Sequence, residues 1–364
     1  MAASSAAGSD RAVAEPPSGD AVPARGAVAR LAVVIVNWNG FEDTIECLES
    51  LLRQTVRPRV IVVDNGSDDG SVDQLAAWAA GRLPYEPPAG PLRRLTNPPV
   101  EKPVRLRVLT PADAADGAPG EEEVTVIASP DNIGFSAGNN LGLRFALKDP
   151  AIAYCWCLNN DAVADGGAVK ALVARMDATH KVGMCGTQVR YYHRPGHWQA
   201  LNGHRFNLFT GMSRGIGLNV PVSRPFDPKK VARETDFVLG ASLGVSRAFL
   251  ETVGFMEERY FLYFEEMDWA VRNRGRFVTA FAHAAIVYHK EGGSIGSSDR
   301  AGARSPLSEY YLMRSRIKFY WKNFPLLAPF QYPLAVALII RRLFRRQPAK
   351  AAAMIRAVLG LSYQ

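Results

Sequence analysis

Glu265-Glu266-Met267-Asp268 places three carboxylates within four positions, directly after the aromatic run Tyr260-Phe261-Leu262-Tyr263-Phe264. Like charges crowded beside apolar surface raise one carboxyl's pKa, as a proton acceptor working near neutral pH requires. The plainer reading is a helix start whose acids answer the dipole, worth about 0.3–1 kcal/mol each. A second stretch, Tyr154-Cys155-Trp156-Cys157-Leu158-Asn159-Asn160-Asp161, runs from strand-forming residues into two amides and a carboxylate. A buried strand ending this way delivers polar groups to the carboxyl edge of an open sheet, where such folds bind ligands. A carboxylate there can bond a ribose or hold Mg²⁺ or Mn²⁺ against a diphosphate, with phosphate and water filling the other ligand positions. A polar turn with Asn and Asp as caps would look the same in isolation.

The elements that must position these groups read as alternating strands and helices. Leu31 to Val36 is a continuous apolar run suited to a strand buried on both faces, and it ends in Asn37-Trp38-Asn39-Gly40. A helical face of Ile45, Leu48, Leu51 and Leu52 follows, then a second buried strand, Val60 to Val63, ending in Asp64-Asn65-Gly66-Ser67. Two βα units in about forty residues imply a parallel sheet with right-handed crossovers. Asp64 then stands at a strand's carboxyl end, Asn65-Gly66 forms the turn, and Ser71 is placed to cap the next helix. Val124 to Ile127 leads into Asn132-Ile133-Gly134-Phe135, a junction that lets backbone N–H groups approach an anion ahead of a helix from Leu141 to Leu147. A helix (Ala168 to Met176) and a strand (Val182 to Cys185) complete the first half. His193, His197 and His204 lack the spacing of a helical metal pair and belong to loops or hairpins. Phe237 to Val245 reads as one strand with small residues that admit close approach of a ligand. Phe277 to Phe281 and Ala284 to Tyr288 read as two more, the second ending at His289 before a glycine-rich loop, Glu291 to Gly296, that could close over a ligand.

Composition sets the frame. A chain of 364 residues, 48% apolar and 21% charged, is globular and long enough for one large α/β core. Residues 1–29 carry no aromatic and no apolar signal-peptide core, and they read as a disordered leader. Cys47, Cys155, Cys157 and Cys185 form no C-x-x-C pair, which speaks against a disulfide framework or zinc site and for a reducing, cytoplasmic compartment. Nine prolines fall between residues 84 and 123, marking a mobile insertion with a short strand near Arg105 to Leu109. From Lys290 onward thirteen Lys/Arg face three acids, a balance of +10 against +8 for the whole chain, so the first 289 residues sum to −2. Basicity therefore belongs to a helical tail, residues 301–364. Its apolar stretch from Pro325 to Ile340 is broken by prolines and shorter than the roughly 20 residues of a spanning helix. Basic and apolar residues together suit an anionic membrane surface better than nucleic acid. A tail packed on the body is the equal alternative.

Taken in order, Val34-Ile35-Val36-Asn37-Trp38-Asn39-Gly40, Val63-Asp64-Asn65-Gly66-Ser67, Asn132-Ile133-Gly134-Phe135, Leu158-Asn159-Asn160-Asp161, Gly240-Ala241, Glu265-Glu266-Met267-Asp268 and His289 resemble family 2 glycosyltransferases. The likeness covers residues 31–296 and is greatest to bacterial rhamnosyltransferases and galactofuranosyltransferases that build cell-surface polysaccharides. It implies a GT-A fold (a mostly parallel mixed sheet flanked by helices), with a catalytic domain over 30–300. It implies an inverting, metal-dependent transfer from a nucleotide-sugar donor, dTDP-rhamnose or else UDP-galactofuranose or another UDP-hexose. The acceptor would be a cell-surface or lipid-linked glycan, and it is the composition of the tail that points to peripheral contact at the inner face of the cytoplasmic membrane and to no nucleic-acid partner. By this resemblance Asn37 and Asp64, with Asn65, bind the nucleoside, and Asn132 and Gly134 lie near the diphosphate or donor sugar. Asn159-Asn160-Asp161 replaces the Asp-x-Asp element, with Asp161 on the Mg²⁺ or Mn²⁺ and His289 completing that site. Glu266 stands where most members have an Asp base, so Glu265 is a candidate to share its work. Met256 stands where an Asp is common.

Overall fold

The computed structural model describes residues 30–291 and 304–363. The expected leader, residues 1–29, and the loop from Gly292 to Gly296 lie outside the described residues. Strand β1 (Leu31–Asn37) is apolar until its last residue and is buried except for a partly exposed Val36. It is followed by α1 (Phe41–Leu52), β2 (Arg59–Asn65) and α2 (Ser71–Ala79). Ser71 does not cap α2. The chain enters from Gly70 at φ +75°, and the Ser71 hydroxyl is turned back to the Asp69 carboxylate. Next come the edge strand β3 (Leu106–Leu109), α3 (Pro111–Asp116), β4 (Val124–Ser129), α4 (Phe135–Ala146) and β5 (Tyr154–Leu158). Among the described residues β3-β4-β2-β1-β5 form five parallel neighbours, and the order reverses around β1. Such a reversal opens a crevice at the strands' carboxyl ends. Asn37, Asp64 and the turn after Leu158 all lie at that edge.

The second half continues the same sheet in mixed sense. The short strand β6 (Ala162–Ala164), α5 (Ala168–Asp177) and the long β7 (Val182–Tyr191) precede three strands, β8 (Trp198–Leu201), β9 (Gly203–Asn207) and β10 (Met212–Gly215). After α6 (Pro228–Glu234), the expected single strand from Phe237 is two. β11 (Phe237–Val238) joins β9 and β10 in a small sheet, and β12 (Ser242–Ser246) enters the main one antiparallel to β5 and β7. The break falls at Leu239-Gly240-Ala241, where Asn159 N–H donates to the Ala241 carbonyl at 3.1 Å. After α7 (Arg247–Val253) and α8 (Glu265–Asn273), the two strands expected around Phe277–Tyr288 are one bulged strand, β13 (Val278–His289). Its last residue pairs with Ala162, which brings His289 to Asp161 across the sheet.

The Pro-rich segment is seated on the body. Glu49, fully buried on α1, accepts from Val100 N–H at 2.6 Å and Lys102 Nζ at 2.8 Å, and Lys102 lies over the Trp78 ring. Leu92 and Leu95 bury against Val163 and Tyr288. An unpaired carboxylate could not stay buried on α1, so this segment completes the core instead of hanging from it. The tail forms α9 (Pro306–Asn323), α10 (Gln331–Phe344) and α11 (Pro348–Val358). Phe319 and Tyr320 on α9 are wholly buried with Phe237, Tyr260, Phe264 and Met267, so α9 belongs to the body. All four cysteines are buried free thiols.

Candidate active site

At the β1 and β2 ends, Asn37 and Asp64 are buried and bonded to each other, Asn37 Nδ2 donating to Asp64 Oδ1 at 2.7 Å. The Ser67 hydroxyl donates to the same oxygen at 2.7 Å, and Ser67 N–H donates to the other at 3.2 Å. Thr44 on α1 donates to Asn37 Oδ1 at 2.8 Å, and Asn160 Nδ2 reaches that oxygen at 3.3 Å. One amide therefore ties three strand ends together, which fixes the crevice floor before any ligand arrives. Ser67 could have been found as the end of an Asx turn begun by Asp64. Thr44 carried no signal beyond its place in the helix.

Asn65 and Asn132 meet at 2.9 Å. Three of the loop's N–H groups are engaged: Ile133 donates to Asn65 Oδ1, Gly134 to Asn132 Oδ1, and Phe135 to the Phe261 carbonyl. Gly134 sits at φ +87°, and a Cβ there would lie 2.7 Å from Phe261. Through Phe135 and Phe261 the junction also clamps the segment that leads into α8. Met256, the departure noted above, is buried, and both its backbone groups bond the Asn140 amide.

At the far end of the crevice, His289 Nε2 lies 3.0 Å from Asp161 Oδ1 and 3.2 Å from Asn159 Nδ2. Its Nδ1 lies 2.8 Å from Gln199 Oε1, and the Gln199 amide nitrogen faces Glu291 Oε1 at 3.4 Å. That orientation makes Gln199 the acceptor, so Nδ1 carries a proton and the ring presents Nε2 to a carboxylate oxygen. At 3.0 Å the nitrogen and the carboxylate oxygen share either a proton, as an ion pair, or a cation that takes its place. Imidazole plus carboxylate, with a fixed partner behind the imidazole, fits a divalent ion of the Mg²⁺ or Mn²⁺ kind. Asn159 Oδ1, buried with no hydrogen-bond partner, adds an oxygen donor beside the pair. Among the described residues no three carboxylate, thiol or imidazole groups gather to hold an ion unaided, so a phosphate-bearing ligand and water would supply the remainder. Gln199 could not be found from sequence, because its role depends on β8 folding against β7.

The two glutamates open α8, and their environments differ. Glu265 is 2% exposed with Oε2 unpaired, and burial followed by the Glu266 charge pushes its carboxyl well above the usual range. Glu266 is partly exposed, and burial pushes it up to about 7, opposed by hydrogen bonds from its own N–H and from Gly240. Its carboxylate lies over Gly240, where a Cβ would come within 2.1 Å of Oε1. Ala241, the next residue, holds Asn159, so the base candidate and the Asn159–Asp161 turn share one short loop. Asp268 points elsewhere, fully buried against Arg272, Lys322 and Asn323.

Three solved structures with related folds are each under 15% identical. GalNAc-T7 with UDP, GalNAc and Mn²⁺ is 12% identical at a TM-score of 0.51, over 88% of this chain and 58% of that one, which speaks to fold alone. The mannosyltransferase PcManGT from Pyrobaculum calidifontis, in complex with GDP-Man and Mn²⁺, is 14% identical at 0.48 over 94% and 78%. A fragment of S. aureus TarS is 14% identical at 0.44 over 90% and 80%. No curated protein matches the chain. The sheet order, the crevice at its carboxyl edge and the flanking helices are those of the GT-A fold. The family model of glycosyl transferase family 2 matches residues 32–94 and 109–252, more than half the sequence, and the chain therefore belongs to that family.

Proposed function

We propose that this glycosyltransferase inverts the anomeric centre in a single displacement, with Glu266 taking the proton of the acceptor hydroxyl. The observation that carries this reading is the placement of Glu266 over Gly240, one residue from the loop carbonyl that holds Asn159. A carboxylate of raised pKa, still open to solvent at the crevice, can accept a proton at neutral pH. Asn37, Asp64 and Asn65 provide the nucleoside end, Asn132 and Gly134 shape the loop between, and Asn159, Asn160, Asp161 and His289 form the diphosphate end. Asp161 and His289 would hold Mg²⁺ or Mn²⁺, which when bound offsets charge developing on the leaving diphosphate. The proton leaves the hydroxyl as its oxygen bonds the anomeric carbon, and the nucleoside diphosphate departs from the opposite face.

The donor we favour is dTDP-rhamnose, on the order and spelling of the motifs that resemble the rhamnosyltransferase branch. The acceptor is then a cell-surface polysaccharide or lipid-linked glycan, met on the cytoplasmic side of the membrane. A panel of dTDP-rhamnose, UDP-galactofuranose, UDP-galactose and UDP-glucose, with Mn²⁺ or with chelator, tests this through product formation. Transfer from dTDP-rhamnose that chelation abolishes is the expected result. Transfer from a UDP-sugar alone would move the protein to the galactofuranosyl or hexosyl alternative, and undiminished transfer in chelator would remove the metal from the account. Asp161→Ala is expected to abolish turnover and to weaken Mn²⁺-dependent binding of the nucleoside diphosphate, read by calorimetry.

A further inference from the structure

The outward face of α10 is apolar where a globular surface is ordinarily polar. Val336, Ile340, Leu343 and Phe344 recur at the three- and four-residue steps of one helical face, and all are exposed, Phe344 by 85%. Leu326 and Phe330, exposed by 88% and 67%, continue the stripe ahead of the helix. The opposite side of α10 is the packed one: Ala335 is wholly buried, and Leu338 and Ile339 join it against α9 and α11. The helix is thus apolar on both faces, and only one has a partner.

Charge accompanies the stripe. Arg341, Arg345 and Arg346 are exposed at its end, and none forms an ion pair with a described residue, whereas Arg342 turns inward to Glu309. From Phe324 to the end the chain has six Lys/Arg and no Asp or Glu.

We propose that this face docks on the surface of an anionic lipid bilayer, the stripe entering the headgroup–acyl boundary and the arginines meeting lipid phosphates. The charge pattern selects this occupant. A second copy would set the same unopposed arginines against each other, and a nucleic acid would leave the apolar stripe in water. The helix lies in the surface and does not cross it. Its 14 residues span about 20 Å, and among the described residues no helix is long and apolar enough to traverse a membrane. Two signals on one element, apolar insertion and basic attraction, are what stable peripheral binding takes. This inference stands on the C-terminal surface alone and is independent of the transferase reading.

The test is co-sedimentation of the full chain with phosphatidylcholine vesicles, with and without phosphatidylglycerol. Wild type is expected to pellet with the anionic vesicles and stay in solution with the neutral ones. The triple variant Arg341→Glu/Arg345→Glu/Arg346→Glu is expected to partition at least about a hundredfold more weakly, since each basic residue near the surface contributes roughly fivefold. Ile340→Glu/Phe344→Glu is expected to abolish pelleting. Both sets change exposed side chains, so an unshifted thermal midpoint confirms the fold in each. Variants that pellet as wild type does would overturn the proposal. So would a wild-type dimer that Phe344→Glu splits, which would give the face to a second copy.

Discussion

Glu265 and Glu266 are neighbours in sequence and opposites in environment, and that difference sorts their roles. Glu265 is buried with an oxygen unpaired, which favours its neutral acid, and Glu266 is partly exposed with its carboxylate over Gly240. Glutamine mimics a protonated glutamate, so Glu265→Gln is expected to keep turnover within about fivefold, as a group that never ionises in the cycle would. A loss as large as that of a removed base would make Glu265 a sharer of the proton. The base proposed at Glu266 works only when ionised, and burial raises its pKa, so the rate should climb as pH rises through about 7 and fall away below it. A rate level from pH 5 to 8 would contradict a base of raised pKa, because a group titrating near the ordinary glutamate value of about 4.3 is already ionised across that range. Gly240→Ala probes the same atom from the other side. The added methyl meets the tip of a flexible side chain, so Glu266 should be displaced while the fold stays intact. Turnover should drop by about a hundredfold with little change in thermal midpoint, in line with the cost of a misplaced catalytic group.

At the scale of elements, α8 is aimed by what grips its start. Tyr263 and Phe264 both adopt left-handed backbone, φ +66° and +72°, a conformation that costs such residues of order 1–3 kcal/mol each. Helix α9 holds them there: Ser315 donates to the Leu262 carbonyl at 2.7 Å, the Tyr263 hydroxyl bonds Ser308 at 3.1 Å, and Phe264 packs on Phe319. Lys322 and Asn323 at the end of α9 reach Asp268 one turn into α8. Asp268→Asn should cost about 2–3 kcal/mol in a denaturant titration, the upper range for a broken buried pair being lowered because Arg272 and Lys322 keep some solvent. An unchanged midpoint would show the network to be dispensable. These links also mark what sequence could and could not convey. The buried strands ending at Asn37, Asp64 and Asn159 were legible, because an unbroken apolar run followed by polar turn residues has few other solutions. The split of Phe237–Ser246 into two strands was not, since the break depends on a carbonyl meeting Asn159 from another strand. Nor was the seating of the Pro-rich segment, because composition cannot show that Glu49, on a distant helix, needs the partners that segment supplies.

For the whole molecule, the +10 balance of the C-terminal stretch suggested a boundary near residue 300, yet packing divides the tail differently. Helix α9 completes an aromatic core with Phe237 and Phe264, and the surface that differs in character begins beyond it. A chain ending at residue 303 is therefore expected to lose cooperative unfolding, whereas a separable tail would leave a sharp transition. The central claim remains that one crevice joins a nucleotide-sugar end to a base at Glu266. Glu266→Gln measures it most directly, with transfer followed by product formation and donor binding by calorimetry on the same preparation. The account predicts transfer reduced by about a thousandfold or more with donor affinity preserved. Near-native transfer by that variant would contradict it.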